Sequence, residues 1–306
     1  MSLTCGFSLT ETDIVEFRRR NLHDSKQHGA EAGHDNREGL MPEQNSFPPE
    51  VDHTRPNPAR IYDYGLGGHH NFAADRDQFE KLLEVDPDAR LVVSANRAFL
   101  RRAVRYCLRQ GITQFLDLGS GIPTVGNVHE AAHQLNPRAR VVYVDNEPIA
   151  VAHTRRLLRE NENAEIVQAD LRDPDAILGA PETQRLLDLS KPVGLMMVAV
   201  LHWVPSADVA GLLSRYREVL APGSYLAISH LTSEHLPEQM GEVEDVFAET
   251  TEPVVYRPRS EAVKLFEGFE LVPPGVVYTS QWQSEPYEMV EPPERTKIWA
   301  AVGRKL

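Results

Sequence analysis

The hydrophobic pattern changes character three times along the 306-residue chain. From about Arg18 to about Asn57 the chain is rich in His, Asp, Glu, Asn, Gly and Pro, with almost no apolar periodicity. Such a stretch buries too little surface to offset its ordering entropy, so residues 1–53 are expected to form a polar, mobile leader. Leu9 to Arg19 is the one place in it with the look of a short helix. From Thr54 to Gly111 the apolar residues recur at helical spacing. Asn57-Pro58 supplies an N-cap followed by proline at the first helical position, and Gly65, Gly67 and Gly68 stop that helix early. A second helix is predicted over about 73–84. A third, from about Asp88, carries Val92, Ala95, Phe99, Ala103, Tyr106 and Cys107 on one face and stops at Gly111.

From Ile112 the rhythm alternates between short apolar runs and amphipathic segments. Strands are predicted at 114–118, 140–145, 164–169, 193–200 and 224–230. Helices are predicted at about 126–136, 147–160, 182–188 and 206–220, with two more near 236–249 and 259–267. The run Val193 to Val200 is apolar throughout, as a strand covered on both faces must be. This alternation predicts an α/β fold: a doubly wound, mostly parallel sheet with right-handed crossovers. Segments 269–282 and 296–304 read as a late antiparallel pair at one side of it. The expected organisation is a leader over 1–53, a helical lid or cap over 54–111 and a Rossmann-like domain over 112–306.

Composition adds limits. Apolar residues make up 41% and charged residues 25%, ordinary values for a globular protein. No apolar run approaches a membrane span, and Glu11, Asp13 and Glu16 interrupt any secretory signal. Cys5 and Cys107 are too few for a disulfide framework or a zinc site, so a cytoplasmic location is expected. The formal net charge of −13 and the lack of a basic stripe argue against a nucleic-acid partner. His23, His28, His34 and His53 fit no metal-ligand spacing, and no metal is expected.

The candidate chemistry sits at the strand ends. Phe115-Leu116-Asp117-Leu118-Gly119-Ser120-Gly121 is a strand running into a Gly-x-Gly turn, and Arg140 to Asp145 is a second strand ending in an acid. Glycines let the backbone approach a nucleotide-like ligand, and the second carboxylate can accept both ribose hydroxyls. A tight turn that merely needs glycine is the plainer reading, and Asp145 tells against it. Pro123 and Thr124 replace the N–H and the third glycine that a dinucleotide loop would use, which favours a ligand without phosphates over a nicotinamide cofactor. Ser120 and Asn146 flank these positions. Ala169-Asp170-Leu171 ends the third strand, where Asp170 can take an adenine amino group or cap the next short helix. The fourth strand end reads Ala199-Val200-Leu201-His202-Trp203. There His202 can act as a base or simply line a wall. The Asp/Asn-Pro-Pro-aromatic signature of enzymes that methylate base amino groups is absent from it. Arg60 to Phe72 packs aromatics, glycines and histidines together. It reads as a lid, with Tyr62 and Tyr64 able to present ring faces to a sulfonium cation, or as the packing face of the first helix.

These residues together resemble the class I S-adenosylmethionine-dependent methyltransferases. More narrowly, the chain is similar to the actinobacterial S-adenosyl methyltransferase family, once catalogued as a domain of unknown function. The similarity rests on Arg60-Ile61-Tyr62-Asp63-Tyr64 with Gly67-Gly68 and Asn71 to Arg76, on Phe115 to Thr124 with Gly126 to Glu130, and on Val144 to Pro148. It implies seven strands in the order 3-2-1-4-5-7-6 with strand 7 antiparallel. It implies S-adenosyl-L-methionine as cofactor and methyl transfer to a small molecule as activity. Asp117 and Gly119 would then hold the methionine moiety, Asp145 the ribose and Asp170 the adenine. Gly121 and Ser120, Asn146, Leu171 and Ala199 complete the expected cofactor set, and Tyr62, Tyr64, Gly68 and Asn71 would close it. His202, His70 and Tyr62 are the candidate proton acceptors. A non-catalytic cofactor-binding or regulatory protein, and a nicotinamide-dependent oxidoreductase, stand as alternatives. The acceptor and the oligomeric state are not implied.

Overall fold

The structure, a computed structural model, describes residues 52–248, 250 and 254–306. The expected leader and its short helix at Leu9 to Arg19 lie outside the described residues, apart from His53 and its neighbour Asp52. Three helices come first: α1 (Pro58–Gly65), α2 (Ala73–Val85) and α3 (Ala89–Arg109). Asn57 caps α1 as its sequence position predicts, its side chain accepting the Ala59 N–H. Gly111, at φ 89°, ends the third helix in the left-handed region that glycine adopts without strain.

The alternating part follows as β1 (Gln114–Leu118), α4 (Val128–His133), β2 (Arg140–Asp145), α5 (Pro148–Leu157), β3 (Ala164–Gln168), α6 (Pro174–Gly179), α7 (Pro181–Leu186) and β4 (Gly194–Val198). A single 3-10 turn at Leu201–Trp203 leads into α8 (Ser206–Val219), β5 (Tyr225–Leu231), α9 (Pro237–Phe247) and α10 (Arg259–Lys264). The chain closes with β6 (Phe269–Leu271), β7 (Val277–Tyr278) and β8 (Ile298–Lys305).

The sheet runs β3-β2-β1-β4-β5-β8-β6, with β7 also bonded to β8. β1 to β5 are parallel, and β8 is antiparallel to β5. The order expected from the resemblance is therefore present, with β8 in the seventh-strand position. The edge strand is broken in two. Between β6 and β7 lie Pro273 and Pro274, which have no N–H for the ladder, and Gly275 at φ 84°.

Two apolar layers cover the sheet. One joins β-strand residues such as Leu116, Val144 and Leu195 to α7 and α8 through Leu186, Leu212 and Tyr216. The other joins Phe115, Val141 and Met196 to α3 through Phe99, Ala103 and Cys107. The third helix is thus a structural layer of the sheet. α1 and α2 form a smaller cluster with α9, through Ile61, Phe79, Leu82, Met240 and Val243. That cluster stands over the carboxyl ends of the parallel strands, where ligands bind in folds of this kind.

Candidate active site

Register brings the carboxyl ends of the central strands level. Asp117 lies opposite Tyr143 on β2 and Met196 on β4. Beyond those ends opens a cavity of about 450 Å³. Asp117, Gly119, Ser120 and Gly121 line it from the first turn, Asp145 and Asn146 from the second. Asp170 and Leu171 line it from the third, and Ala199 and His202 from the fourth.

The first turn is built by backbone geometry. Gly119 and Gly121 have φ of 68° and 66°. A Cβ on Gly119 would lie 2.3 Å from the Val200 side chain, so only glycine lets β1 pass this close to the β4 turn. A Cβ on Gly121 would meet no atom within 4 Å. The Gly121 N–H donates to Asp145 Oδ2 at 2.7 Å, and the Glu147 N–H donates to Oδ1 at 2.9 Å. Each carboxylate oxygen retains a lone pair for a ligand hydroxyl. Ser120 Oγ is buried with no partner.

Electrostatics mark the same place. Burial pushes Asp117 up to about 7, against the pull of the Arg97 guanidinium and with a further push from Asp145. Burial raises Asp145 to about 6, opposed by the N–H groups of Glu147 and Gly121. Two buried carboxyls that lack enough donors are expected where a ligand brings them. Asp170 is half-buried. Burial raises its carboxyl, but the Arg172 guanidinium and N–H outweigh that and hold it below the usual range. Ala199 adopts φ 57°, a left-handed conformation costly for a residue with a Cβ. Its N–H is held by Ser229, through Oγ at 2.9 Å and the backbone oxygen at 3.2 Å.

The segment before the sheet divides. Tyr62 lines the cavity. Its hydroxyl donates to the Val93 carbonyl at 3.1 Å and accepts from Asn96 Nδ2 at 3.0 Å. Asn96 Oδ1 in turn accepts from Ser229 Oγ at 2.6 Å, so a buried chain of hydrogen bonds runs from Tyr62 to Ala199. Tyr64, Gly68, His70 and Asn71 are not brought to the cavity. Tyr64 packs edge-on against Phe79 and donates to Glu80. The exposed His70 ring lies against His153, with 3.8 Å between centroids.

Gly68 and Asn71 instead surround Asp63, a residue not singled out from the sequence. Asp63 accepts from the His70 N–H at 2.9 Å, Asn71 Nδ2 at 2.8 Å and Thr124 Oγ1 at 2.6 Å. A Cβ at Gly68 would lie 2.0 Å from that carboxylate. The glycines therefore let the loop close on Asp63, and Thr124 ties it to the turn after β1. Arg60, also buried, bridges Asp75 at 2.8 Å and Glu147 at 2.9 Å, fastening α1 to the turn after β2.

His202 lies at the cavity wall with Nδ1 unpartnered. Burial, with His230 and Arg257 beside it, holds it well below the usual imidazole range. Arg257 is buried with no carboxylate in hydrogen-bond reach among the described residues, bonding instead to His230 and to the Leu201 and Val204 carbonyls at 3.0 Å each. Arg97 is the other cation that the sequence reading missed. It is buried, lines the cavity, lies 5.5 Å from the Tyr62 ring centroid, and its Nε has no partner. The available signal was Asn96-Arg97, two polar residues inside the apolar stripe formed by Val93 and Leu100 on α3.

Residues 44–306 match the S-adenosyl methyltransferase family. The chain belongs to that family. Two solved structures agree with the assignment. One is a candidate methyltransferase from Thermobifida fusca, 40% identical, covering 86% of this chain and 99% of that one with a TM-score of 0.79. The other is a duf574 family protein from Streptomyces avermitilis, 38% identical, covering 82% and 98%, also with a TM-score of 0.79. No curated protein matches the chain. The cofactor is S-adenosylmethionine. The donor-poor carboxyls of Asp117 and Asp145, the unpartnered Ser120 Oγ and the open space at Gly121 fit such a group. Among the described residues no helix is long and apolar enough to cross a membrane, and no cluster of metal-ligating side chains is present.

Proposed function

We propose that this S-adenosyl methyltransferase family member moves a methyl group from its cofactor to a small molecule bound in the same cavity. The observation that carries this reading is continuity. One cavity reaches from Asp145 and Gly121, past Ala199 and His202, to an arm walled by Ile61, Phe79, Val92 and Met240. S-adenosylmethionine, when bound, supplies a methyl group on a sulfonium sulfur, already activated toward a nucleophile.

The protein's part is then placement and exclusion of water. Asp145 would accept the ribose hydroxyls while Gly121 and Glu147 hold its carboxylate in place. Asp117, Ser120 and Arg97 surround the place for the amino-acid end, where Arg97 Nε would meet a carboxylate. Asp170 and Leu171 would border the adenine. Tyr62, fixed by Val93 and Asn96, would flank the sulfonium. His202, kept neutral by its surroundings, offers Nδ1 to an acceptor's O–H or N–H. His70, Tyr64, Gly68 and Asn71 would act indirectly, through the loop closed on Asp63.

Binding without turnover is the second reading, and one observation favours it. His202 Nδ1 has no partner and the Tyr62 hydroxyl is already engaged, so no carboxylate prepares either as a base. Calorimetry with S-adenosylmethionine tests the cofactor role, and release of S-adenosylhomocysteine across fractionated metabolite extracts tests catalysis. Binding with turnover supports the enzyme; binding with no turnover in any fraction supports the second reading.

A further inference from the structure

The acceptor arm has a chemistry of its own. Its walls are apolar on every contributing element: Phe79 and Leu82 from α2, Val92 from α3, Met240 and Val243 from α9, and Ile298 from β8. Among the described lining residues, the charged side chains outside the strand-end turns are Arg97, at the cofactor end, and Asp86 and Lys297, in this arm. Asp86 and Lys297 are almost fully buried, at 4% and 3% exposure. Lys297 Nζ donates to Asp86 Oδ1 at 2.8 Å, and weakly to the Arg295 carbonyl at 3.4 Å. Asp88 lies 3.9 Å from the same ammonium and is itself paired with Arg295 at 2.7 Å.

This cluster is balanced, two cations against two carboxylates. Lys297 also sits at φ 50°, a conformation that costs a side-chain-bearing residue about 1 kcal/mol or more. The Lys297 N–H to Glu294 and its carbonyl from Thr232 hold it there. A buried ion pair of this kind gives little net stability, and an apolar pair of the same volume would often serve as well. What the pair provides, and an apolar pair would not, is a polar point at the apolar arm's wall. An ammonium has three donors, and among the described residues two acceptors lie within hydrogen-bond reach of this one.

We infer that the methyl acceptor is an uncharged, largely apolar small molecule that carries, besides the atom to be methylated, one neutral polar group, a hydroxyl or carbonyl, that docks on the Lys297–Asp86 pair. A neutral oxygen accepts from the ammonium without disturbing the pair. A carboxylate or an amine would have to displace one partner and leave the other buried and uncompensated, which is costly. This rests on the reading that the cavity holds cofactor and acceptor together.

The test uses the full chain saturated with S-adenosylhomocysteine, and three probes titrated by calorimetry: 2-naphthol, 2,6-dihydroxynaphthalene and 6-hydroxy-2-naphthoate. The dihydroxy compound is expected to bind best, with the carboxylate weaker by about tenfold or more. In the Asp86→Asn/Lys297→Met double variant, whose charges are removed together so that neither is left unpaired, the preference for the dihydroxy compound over 2-naphthol should vanish. Tightest binding of the carboxylate would overturn the inference. So would an unchanged preference in the double variant at an unchanged melting temperature, or failure of all three probes while S-adenosylhomocysteine still binds. If S-adenosylhomocysteine itself does not bind, the cofactor reading fails first and the acceptor inference falls with it.

Discussion

At the scale of single residues, the two carboxyls at the ends of β1 and β2 carry the argument. Asp145 has each oxygen half-satisfied by one backbone N–H, which orients it without using it up. Asp145→Ala should weaken S-adenosylmethionine binding by about 100-fold or more, the loss of two hydrogen bonds to a charged acceptor. Calorimetry at pH 8, where the carboxyl is ionised, is the measurement. Unchanged affinity would remove the ribose role. Asp117 makes a pH-dependent prediction. Its carboxyl, raised to about 7 by burial, keeps its proton in the folded protein over a range where the unfolded chain has lost it. The folded state therefore loses stability as pH rises from about 4 through 7, and none below that window. Asp117→Asn removes the penalty. It should stabilise the ligand-free protein at pH 8, by a few kcal/mol at most, and change it little at pH 4. Thermal melts at the two pH values decide it, and a stabilisation that is equal at both would refute the account.

At the scale of elements, the segment between α1 and α2 is a tether as much as a cover. Asp63 gathers the His70 N–H, the Asn71 amide and the Thr124 hydroxyl on one buried carboxylate. The strand-end turn and the glycine loop are thereby one mechanical unit. Asp63→Ala should leave those donors unsatisfied and speed hydrogen exchange at the amides of Gly68 and His70. It should also lower cofactor affinity although Asp63 does not line the cavity. Exchange that stays slow would show that the loop is held by something other than Asp63. The elements themselves were largely legible. The strand starts at Gln114, Arg140 and Ala164 and the helix stop before Gly111 follow from apolar runs and glycine chemistry, which are local. The division of the edge strand by Pro273 and Pro274 was also written locally, in two residues without an N–H, although the whole stretch read as one strand.

At the scale of the molecule, α1 to α3 and the sheet share buried groups rather than merely touching. The third helix packs Phe99 and Ala103 into the same layer as Phe115 and Val141, and Arg60 spans Asp75 and Glu147. Removing one member of a buried ion network leaves the others uncompensated. Arg60→Met should cost about 3–5 kcal/mol. It should lower the urea midpoint of one cooperative transition, since Trp282 packs on α3 in one apolar layer and Trp299 lies on β8 in the other, and both layers cover the same sheet. Two separated transitions, read by fluorescence and far-UV circular dichroism, would instead mean that the early helices unfold alone.

The sequence by itself determined the alternation of strands and helices, the Gly119–Gly121 turn and the acids at the strand ends. Each depends on neighbours a few residues apart: periodicity, backbone freedom, a carboxylate ending an apolar run. The tertiary structure decided which polar side chains meet. Asp63 and Thr124, Arg60 and Glu147, Asp86 and Lys297 are far apart in sequence and share no spacing rule, so their pairing exists only once the chain packs. The same packing put Tyr62 on the cavity and turned Tyr64 away from it, because a helix presents neighbouring residues to different sides, while His70 follows the loop closed on Asp63. It also placed Arg97 on the same cavity as Asp117, within reach of its charge, where a sequence shows only a polar interruption of an apolar helix face.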